Sequence, residues 1–391
     1  MHFSQYCSTC CYIMRFVLFC VIFVAVNSVQ TNDDSQLLST IVLFRHGDRV
    51  PRKFAPLDPF GNSTFWPNKR GELTKLGVEQ VRTLGRWLRN RYYDYLPKEN
   101  SSRHIYIKSS SEMRCLTSAI ALISGLFPTV VDPYRNETVS RHPFTLNTAP
   151  KNQDFIFEMA ASCPKYVEAY DELLKTQDFR DIDASNSDFY EYLEEHLGVQ
   201  IKSFTDVVEW YDTMREEDVK GFNLPDWTKR YYPTEMKKWY ELCYKVPTYN
   251  RKLARFGTGA LFEKISDLFD ALINGSMNKS SSEMVLVLLS GHQTNIADVT
   301  NSLGMFRMAP YAGALIVELR KNKYSSKVFV NTFFKTDGSL EVLKIENCTV
   351  NCEIDNFFKI IKPFRISNAQ IRGECGLPAD WIFQPQKYQI D

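Results

Sequence analysis

Residues 37 to 51 read LLSTIVLFRHGDRVP, and this stretch predicts both a strand and a site. The apolar run from Leu37 to Phe44 predicts a buried β-strand of the kind found in parallel sheets. Arg45, His46 and Arg49 follow it, at the carboxyl edge where α/β folds bind their ligands. Guanidinium groups suit phosphate oxygens, and a neutral histidine between two of them can attack the phosphorus that they hold. The stretch therefore predicts a phosphate site with a nucleophilic histidine.

Two further segments can complete such a site. Residues 283 to 290, EMVLVLLS, predict a second buried strand, and His292 follows it in a glycine-led turn that begins a helix. Arg114 lies in the first turn of a helix predicted from about 112 to 126, after a short strand at 105 to 108. Because a cation is slightly unfavourable near a helix N-terminus, this position favours an anion partner for Arg114.

The pattern along the chain predicts an α/β fold. An apolar stripe runs through residues 74 to 92, which predicts a long helix between the strands at 37–44 and 105–108. Three more strands are predicted at 314–319, 327–333 and 340–345. Strands that alternate with helices indicate a doubly wound, mostly parallel sheet with helices on both faces.

A change in composition predicts the domain organisation. Residues 150 to 247 show helical patterns with many Trp and Tyr residues, which predicts an inserted helical cap. The α/β core then consists of 29–149 and 248–391. The segment Gly257-Thr258-Gly259 predicts the start of a helix that covers 260–274.

Composition and charge exclude several classes of protein. Hydrophobic residues make up 44% and charged residues 24% of the 391 residues, which is typical of a globular protein and excludes a disordered one. Lys and Arg number 47 and Asp and Glu number 46, so the formal net charge is +1. A nucleic-acid-binding protein normally carries a basic excess, so we predict no nucleic-acid partner.

The first 28 residues predict a signal peptide. Arg15 precedes an uncharged apolar run from Phe16 to Val26, and small residues at 26–28 offer a cleavage point. This run is too short to span a bilayer, and an uncleaved anchor would have to recruit residues 12–14 past Arg15. No later stretch is long and apolar enough to span. We therefore expect a protein without a membrane span after cleavage, secreted to the extracellular space or delivered to the lysosomal lumen.

Sequons and cysteines agree with a secretory route. Six N-glycosylation sequons are present, at Asn62, Asn100, Asn136, Asn274, Asn278 and Asn347. Six cysteines follow the signal peptide, at Cys115, Cys163, Cys243, Cys348, Cys352 and Cys375. An oxidising compartment permits disulfides, and spacing alone suggests only a Cys348–Cys352 pair. These cysteines form no CxxC pair and no HExxH motif is present, so we predict no metal or other cofactor.

The stretch RHGDRVP at 45–51 matches the RHGxRxP signature of the histidine acid phosphatases. The chain most resembles the prostatic and lysosomal branch of that family, and the resemblance continues through residues 68–74, 106–119, 288–294 and 310–312. It implies an α/β core of the histidine phosphatase and phosphoglycerate mutase type with a helical cap. Members of this branch tend to be dimers, so the resemblance also implies a possible homodimer.

The resemblance also implies roles for individual residues. His46 is the nucleophile that forms a phosphohistidine, and His292 is the second active-site histidine. Arg45, Arg49 and Arg114 are the phosphate-binding arginines. The family's disulfides imply the pairs Cys163–Cys375 and Cys348–Cys352, and they leave open whether Cys115 and Cys243 bond to each other or stay free.

One position departs from the family. Gln293 stands where the family has the aspartate that protonates the leaving alkoxide. An amide can donate a hydrogen bond but cannot titrate, and general acid catalysis typically contributes about 10²–10⁴-fold. Asp298 lies more than a helical turn further on, so we do not expect it to reach the leaving group. Acids of the loop 51–67, such as Asp58, are alternative proton donors.

Two hypotheses follow. In the first, the protein is an acid phosphatase that hydrolyses small-molecule or phosphopeptide phosphate monoesters through a phosphohistidine, with activity reduced for poor leaving groups. In the second, it is a secreted pseudo-phosphatase that binds phosphorylated ligands or a protein without significant turnover. The complete set of His46, His292 and three arginines favours the first hypothesis, and Gln293 favours the second.

Overall fold

A computed structural model of the chain describes residues 34–96, 104–128, 130–132, 137–139, 144–275 and 285–381. The predicted signal peptide at 1–28 lies outside these residues. Within the described ranges, no helix is both long and apolar enough to cross a membrane.

The centre of the fold is an eight-stranded sheet, and a second sheet has two strands. The ten strands of the described residues are β1 Ser35–Arg45, β2 Ile105–Ser109, β3 Val130–Asp132, β4 Glu137–Val139, β5 Leu146–Asn147, β6 Val285–Gly291, β7 Ala314–Asn322, β8 Val328–Lys335, β9 Leu340–Leu343 and β10 Cys352–Glu353. The order across the large sheet is β10-β8-β7-β1-β6-β2-β5, and β9 pairs with β8. Strands β3 and β4 form a separate two-stranded sheet. The apolar run from Leu37 to Phe44 therefore lies in β1, the middle strand of this order.

The sheet is mixed, which corrects part of the predicted topology. Strands β1, β6, β2 and β5 are parallel to one another, as the sequence predicts. Strand β7 is antiparallel to β1, and β8 is antiparallel to β7, β9 and β10. Short connections follow β7 and β8, and a short connection allows only antiparallel pairing, whereas parallel pairing needs a crossover. The prediction of a mostly parallel sheet is wrong for this half.

Helices cover both faces of the sheet, which confirms the predicted α/β class. They are α1 Lys75–Tyr92, α2 Met113–Leu126, α3 Met159–Ser162, α4 Pro164–Leu174, α5 Gln177–Ala184, α6 Ser187–Leu197, α7 Phe204–Val219, α8 Thr234–Lys245, α9 Arg251–Ile273, α10 Gln293–Ser302, α11 Ile354–Ile361 and α12 Asn368–Cys375. Side chains of β1 alternate between two cores: Val42 and Phe44 pack with α1 and α2, while Ile41 and Leu43 pack with α9.

The chain between β5 and α9 is helical. Helices α5 to α8 form a third apolar core with many aromatic side chains, among them Phe204, Tyr211 and Tyr240. This agrees with the helical character predicted for the segment, and the domain boundaries at 150 and 247 stay a prediction.

Helix α9 begins earlier than the sequence predicts. Asn250 caps it by accepting a hydrogen bond from the Leu253 amide at 3.0 Å, so Gly257 and Gly259 lie inside the helix. A Cβ at Gly259 would collide with the carbonyl oxygen of Phe364. Gly259 therefore allows close packing, and neither glycine marks a helix start.

The described residues contain two disulfides, Cys163–Cys375 and Cys348–Cys352, and Cys115 and Cys243 are free there. Three of the sequon asparagines are exposed, Asn62, Asn274 and Asn347. The other three, Asn100, Asn136 and Asn278, lie outside the described residues.

Candidate active site

The carboxyl end of β1 brings distant segments together. Arg45 pairs with Gly291 in the register of β1 and β6, and the His46 amide donates to the Gly291 carbonyl at 3.1 Å. The Arg45 amide donates to the carbonyl of Gly313 at 2.9 Å, just before β7. His46 and His292 therefore follow neighbouring strands, and their ring centroids lie 5.7 Å apart.

The turn after His46 needs glycine. Gly47 crosses the first turn of α1 so closely that a Cβ on it would overlap the carbonyl of Gly77, and a Cβ on Gly77 would overlap Asp48. Asp48 is buried and accepts hydrogen bonds from Thr74 and, at 3.1 Å, from Lys220, which directly follows α7. Asp48 thus ties the turn to α1 and to the helical segment, which is a structural role.

The His46 ring is held in one tautomer. Its Nδ1 lies 2.9 Å from the Gly47 carbonyl oxygen, and because that oxygen can only accept, Nδ1 carries the proton. The unprotonated Nε2 is then free to act as a nucleophile. Burial, together with the charges of Arg45, His292, Arg114 and Arg49, lowers the pKa of His46 well below its usual value. The ring therefore stays neutral at moderately acidic pH.

Three arginines surround this ring. Arg45 donates to the Ala309 carbonyl at 2.8 Å, and its guanidinium carbon lies 4.1 Å from the centroid of the Tyr311 ring. Arg49 forms an ion pair with Asp212, and Arg114 donates to Glu112 at 2.8 Å. Within the part of the chain that the structure describes, the buried Nε atoms of Arg45 and Arg114 have no hydrogen-bond partner. Unpartnered buried donors are costly, so they indicate a place for an anion.

His292 is oriented by a serine and a carboxylate. Its Nε2 lies 3.1 Å from Ser110 Oγ and 3.4 Å from Glu158 Oε1, and Ser110 Oγ donates to Glu158 at 2.7 Å. Burial lowers the pKa of His292, although its hydrogen bond to Glu158 opposes this. Burial raises the pKa of Glu158, but the hydrogen bonds from His292 and Ser110 outweigh it and leave that pKa below its usual value. His292 is thus a fixed hydrogen-bonding group.

Gln293 begins α10 and is buried. Its Oε1 lies 3.3 Å from the hydroxyl of Tyr240, which is also 3.3 Å from Asp212 Oδ1, and its Nε2 lies 3.5 Å from Met308 Sδ. Burial raises the pKa of Asp212, but Arg49 and Arg215 outweigh it and keep that pKa below its usual value. The nearest carboxylate to Gln293 in this network is therefore ionised and cannot replace the family's acid.

These groups line one cavity of about 360 Å³. Six residues singled out in the sequence share it, namely Arg45, His46, Arg49, Arg114, His292 and Gln293. Asp298, which we did not expect to reach the site, also lines it. Asp58 is not among the lining residues, and its carboxylate instead faces Glu217 of α7.

Several residues of the site were missed by the sequence analysis. Asp212 of α7 binds Arg49, and Glu158 binds His292. The Tyr311 ring packs against the His46 ring with 5.7 Å between their centroids, and its hydroxyl donates to Glu216. Asp212 and Glu158 lie in charge-rich helical sequence without a motif. For Tyr311 alone the sequence carries a signal, because residues 310–312 resemble the histidine acid phosphatases.

The arrangement can bind a tetrahedral anion and attack its centre. Cations from two elements surround a neutral imidazole whose Nε2 is free. Such a group of fixed cations stabilises charge on equatorial phosphoryl oxygens, while the imidazole supplies the electron pair.

Comparison with known proteins supports this description. Residues 36–335 match the family model of the histidine phosphatase superfamily (branch 2). The chain is 27% identical to lysosomal acid phosphatase of Rattus norvegicus over 348 residues, which cover 87% of this chain and 80% of the relative. It is 26% identical to prostatic acid phosphatase of Homo sapiens over 360 residues, 88% of this chain and 87% of the relative.

Solved structures agree on the fold. The apo form of Hafnia alvei phytase superposes with a TM-score of 0.60 at 16% identity, over 88% of this chain and 99% of the phytase chain. The match spans the strands from β1 to β8, the arginines and both histidines, and β9 and β10 follow it. The chain therefore belongs to branch 2 of the histidine phosphatase superfamily.

Proposed function

We propose that the protein hydrolyses phosphate monoesters through a phosphohistidine on His46. The family assignment and the acid phosphatases among its relatives make the chain an enzyme, a phosphoric monoester hydrolase. The observation that carries the two-step mechanism is the His46 tautomer, because Nδ1–H donates to Gly47 and leaves Nε2 free inside the arginine cluster.

In the first step, the Nε2 electron pair of His46 attacks phosphorus, and the bond from phosphorus to the leaving oxygen breaks. Arg45, Arg49 and Arg114 would stabilise the charge on the other phosphoryl oxygens. In the second step, water attacks the phosphohistidine, which releases inorganic phosphate and restores the neutral imidazole. The low pKa of His46 helps this last step because the neutral ring is regenerated at acidic pH.

Gln293 limits which leaving groups depart easily. It can donate a hydrogen bond to the leaving oxygen from Nε2, but it has no proton to transfer. An alkoxide must therefore leave unprotonated or take its proton from water, whereas a phenoxide of low pKa needs little help. We propose a bias toward aryl phosphates.

The test compares p-nitrophenyl phosphate with an alkyl phosphate at about pH 5. His46→Ala should abolish turnover of both, since the nucleophile is lost. Gln293→Asp should raise kcat for the alkyl phosphate by roughly 10²-fold or more and change p-nitrophenyl phosphate turnover much less. The mechanism is refuted if wild type and His46→Ala release phosphate at the same rate.

The second candidate function is that of a pseudo-phosphatase that binds phosphorylated ligands without turnover. Gln293 favours it. In the same assay, this second function requires that wild type and His46→Ala release phosphate at equal rates and that wild type still binds phosphate.

A protein of either kind would act outside the cytosol, because the signal sequence and sequons indicate secretion or the lysosomal lumen. We also propose that phosphopeptides are among the substrates and that the protein forms a homodimer.

A further inference from the structure

The cavity is lined by more than the phosphate-binding groups. Part of its wall lies on α10, whose residues Thr294, Asn295 and Asp298 all line it. Residues spaced by three and four positions share one face of a helix, so this face of α10 forms a wall. Tyr166 of α4 and Gly257 of α9 also line the cavity. A Cβ at Gly257 would lie 3.8 Å from Asp298 Oδ2, so Gly257 lies beside that carboxyl group.

Asp298 is a buried acid without a partner. The residue is 6% exposed, and its Oδ1 atom has no hydrogen-bond partner among the described residues. Burial raises the pKa of Asp298 well above its usual value. An isolated buried carboxylate is strongly disfavoured, so a ligand that brings a cationic donor would supply what this side chain lacks.

The walls of the cavity differ in charge. Its five Arg and Lys side chains come from the end of β1, the start of α2 and the segment after β5, namely Arg45, Arg49, Arg52, Arg114 and Lys151. Three of its acids already have side-chain partners, namely Glu112 with Arg114, Glu158 with His292 and Asp212 with Arg49. The walls on α4, α9 and α10 contribute the Tyr166 ring and Asp298 and no Lys or Arg. An aromatic ring beside a carboxylate is a favourable environment for an ammonium group. The cavity thus complements a ligand with phosphate at one end and a cation at the other.

The spacing of Gln293 and Asp298 on α10 limits the ligand. Asp298 lies five positions after Gln293, which corresponds to about 7.5 Å along the helix axis. The Asp298 side chain tilts back toward the helix N-terminus, which shortens this span somewhat. The span suits one para-substituted benzene ring, so Asp298 would face the far end of an aryl leaving group and not the oxygen bonded to phosphorus.

We propose that the part of the cavity lined by α4, α9 and α10 is a leaving-group subsite, in which Asp298 binds a protonated amine on an aryl phosphate monoester. The inference rests on the proposed function and names its substrate class. It agrees with Gln293, since aryl groups are the leaving groups that least need a general acid.

The experiment compares 4-(aminomethyl)phenyl phosphate with 4-(hydroxymethyl)phenyl phosphate, which has a neutral group of similar size. For wild type we expect kcat/KM to favour the amine by roughly tenfold or more, the scale of one charge-assisted hydrogen bond. In Asp298→Asn the ratio between the two substrates should fall to near one. Asp270→Asn, which removes an exposed carboxylate on α9, should keep the wild-type ratio. Equal ratios in wild type and Asp298→Asn would overturn the subsite.

A binding measurement separates this proposal from the proposed function and does not depend on the variant folding. Calorimetry of wild type with the two corresponding benzylphosphonates, which cannot be hydrolysed, should show tighter binding of the amine. It should also show release of about one more proton for the amine, from the Asp298 carboxyl, when buffers of different ionisation enthalpy are compared. Preference for the amine without turnover of either phosphate would refute the proposed catalysis and support the subsite. Equal binding of the two phosphonates would refute the subsite.

Discussion

Burial and the cations around His46 together determine how this residue titrates. Burial and the charges of Arg45, His292, Arg114 and Arg49 all disfavour the imidazolium, so they lower the pKa of His46. The same arginines that would hold a phosphate thus keep the attacking nitrogen unprotonated. Substrate binding and activation of the nucleophile depend on one set of charges.

This coupling predicts the pH dependence of catalysis. The neutral ring is the nucleophile, so activity falls as pH drops through the pKa of His46, and that fall should lie well below pH 6.5. Arg114→Ala removes a charge that lowers this pKa, so the acidic limb of the pH profile should move to higher pH. The measurement is kcat/KM for p-nitrophenyl phosphate against pH, which reports the free enzyme. Arg52→Ala, at the exposed ion pair with Glu209, should leave the limb in place. If the acidic limb does not move in Arg114→Ala, the charge of Arg114 does not lower the pKa of His46.

Helix α7 joins the helical segment to the active-site loops. It supplies Asp212 to Arg49 and Glu217 to Asp58 of the loop 51–67, and Lys220, which directly follows it, binds Asp48. Glu217 is buried, and one of its carboxyl oxygens has no hydrogen-bond partner among the described residues. Burial and the neighbouring Asp58 raise the pKa of Glu217 to about 9. The contact between α7 and the loop therefore depends on a shared proton.

The shared proton makes stability depend on pH. Unfolded Glu217 titrates near 4.5, so between that pH and about 9 the folded protein holds a proton that the unfolded chain has lost. Stability should therefore fall as pH rises through this window. Calorimetry should give a higher Tm at pH 5 than at pH 8, and Glu217→Gln should remove most of this difference. The exposed Glu195→Gln on α6 serves as the control and should retain it. An unchanged difference in Glu217→Gln would exclude the carboxyl pair as its cause.

Elements built from local pattern were predictable, and elements set by distant packing were not. The apolar runs of β1 and β6 each end in Arg or His residues, so the sequence itself indicated that His46 and His292 share one edge. Helix α9 was misplaced because Gly259 serves a contact with Phe364, more than a hundred positions away. Asp212 reaches Arg49 only through the way α7 packs, and Asp298 lines the cavity beside Tyr166 and Gly257 of two other helices. No local signal carries such contacts.

For the whole molecule, one covalent link closes most of the chain. Cys163 and Cys375 lie 212 positions apart and join the start of α4 to the end of α12, whereas Cys348 and Cys352 lie 4 apart. Replacing both Cys163 and Cys375 with Ala should lower the free energy of unfolding by about 2–5 kcal/mol, because a long loop is released in the unfolded state. The Cys348→Ala, Cys352→Ala protein is the matched control and should lose less. Urea denaturation measures both, and equal losses would contradict the loop-length argument.

The position of β1 in the sheet has a consequence for biosynthesis. Ser39 pairs with Val285, 246 residues further along, so β1 has emerged long before its parallel neighbour exists. At roughly 5–20 residues per second, a ribosome needs on the order of 10–50 seconds to make the intervening chain. During that time the nascent protein exposes an eleven-residue, largely apolar strand, which a chaperone has to shield. His46 and His292 meet only when β6 arrives, so the growing polypeptide stays catalytically silent until late in translation.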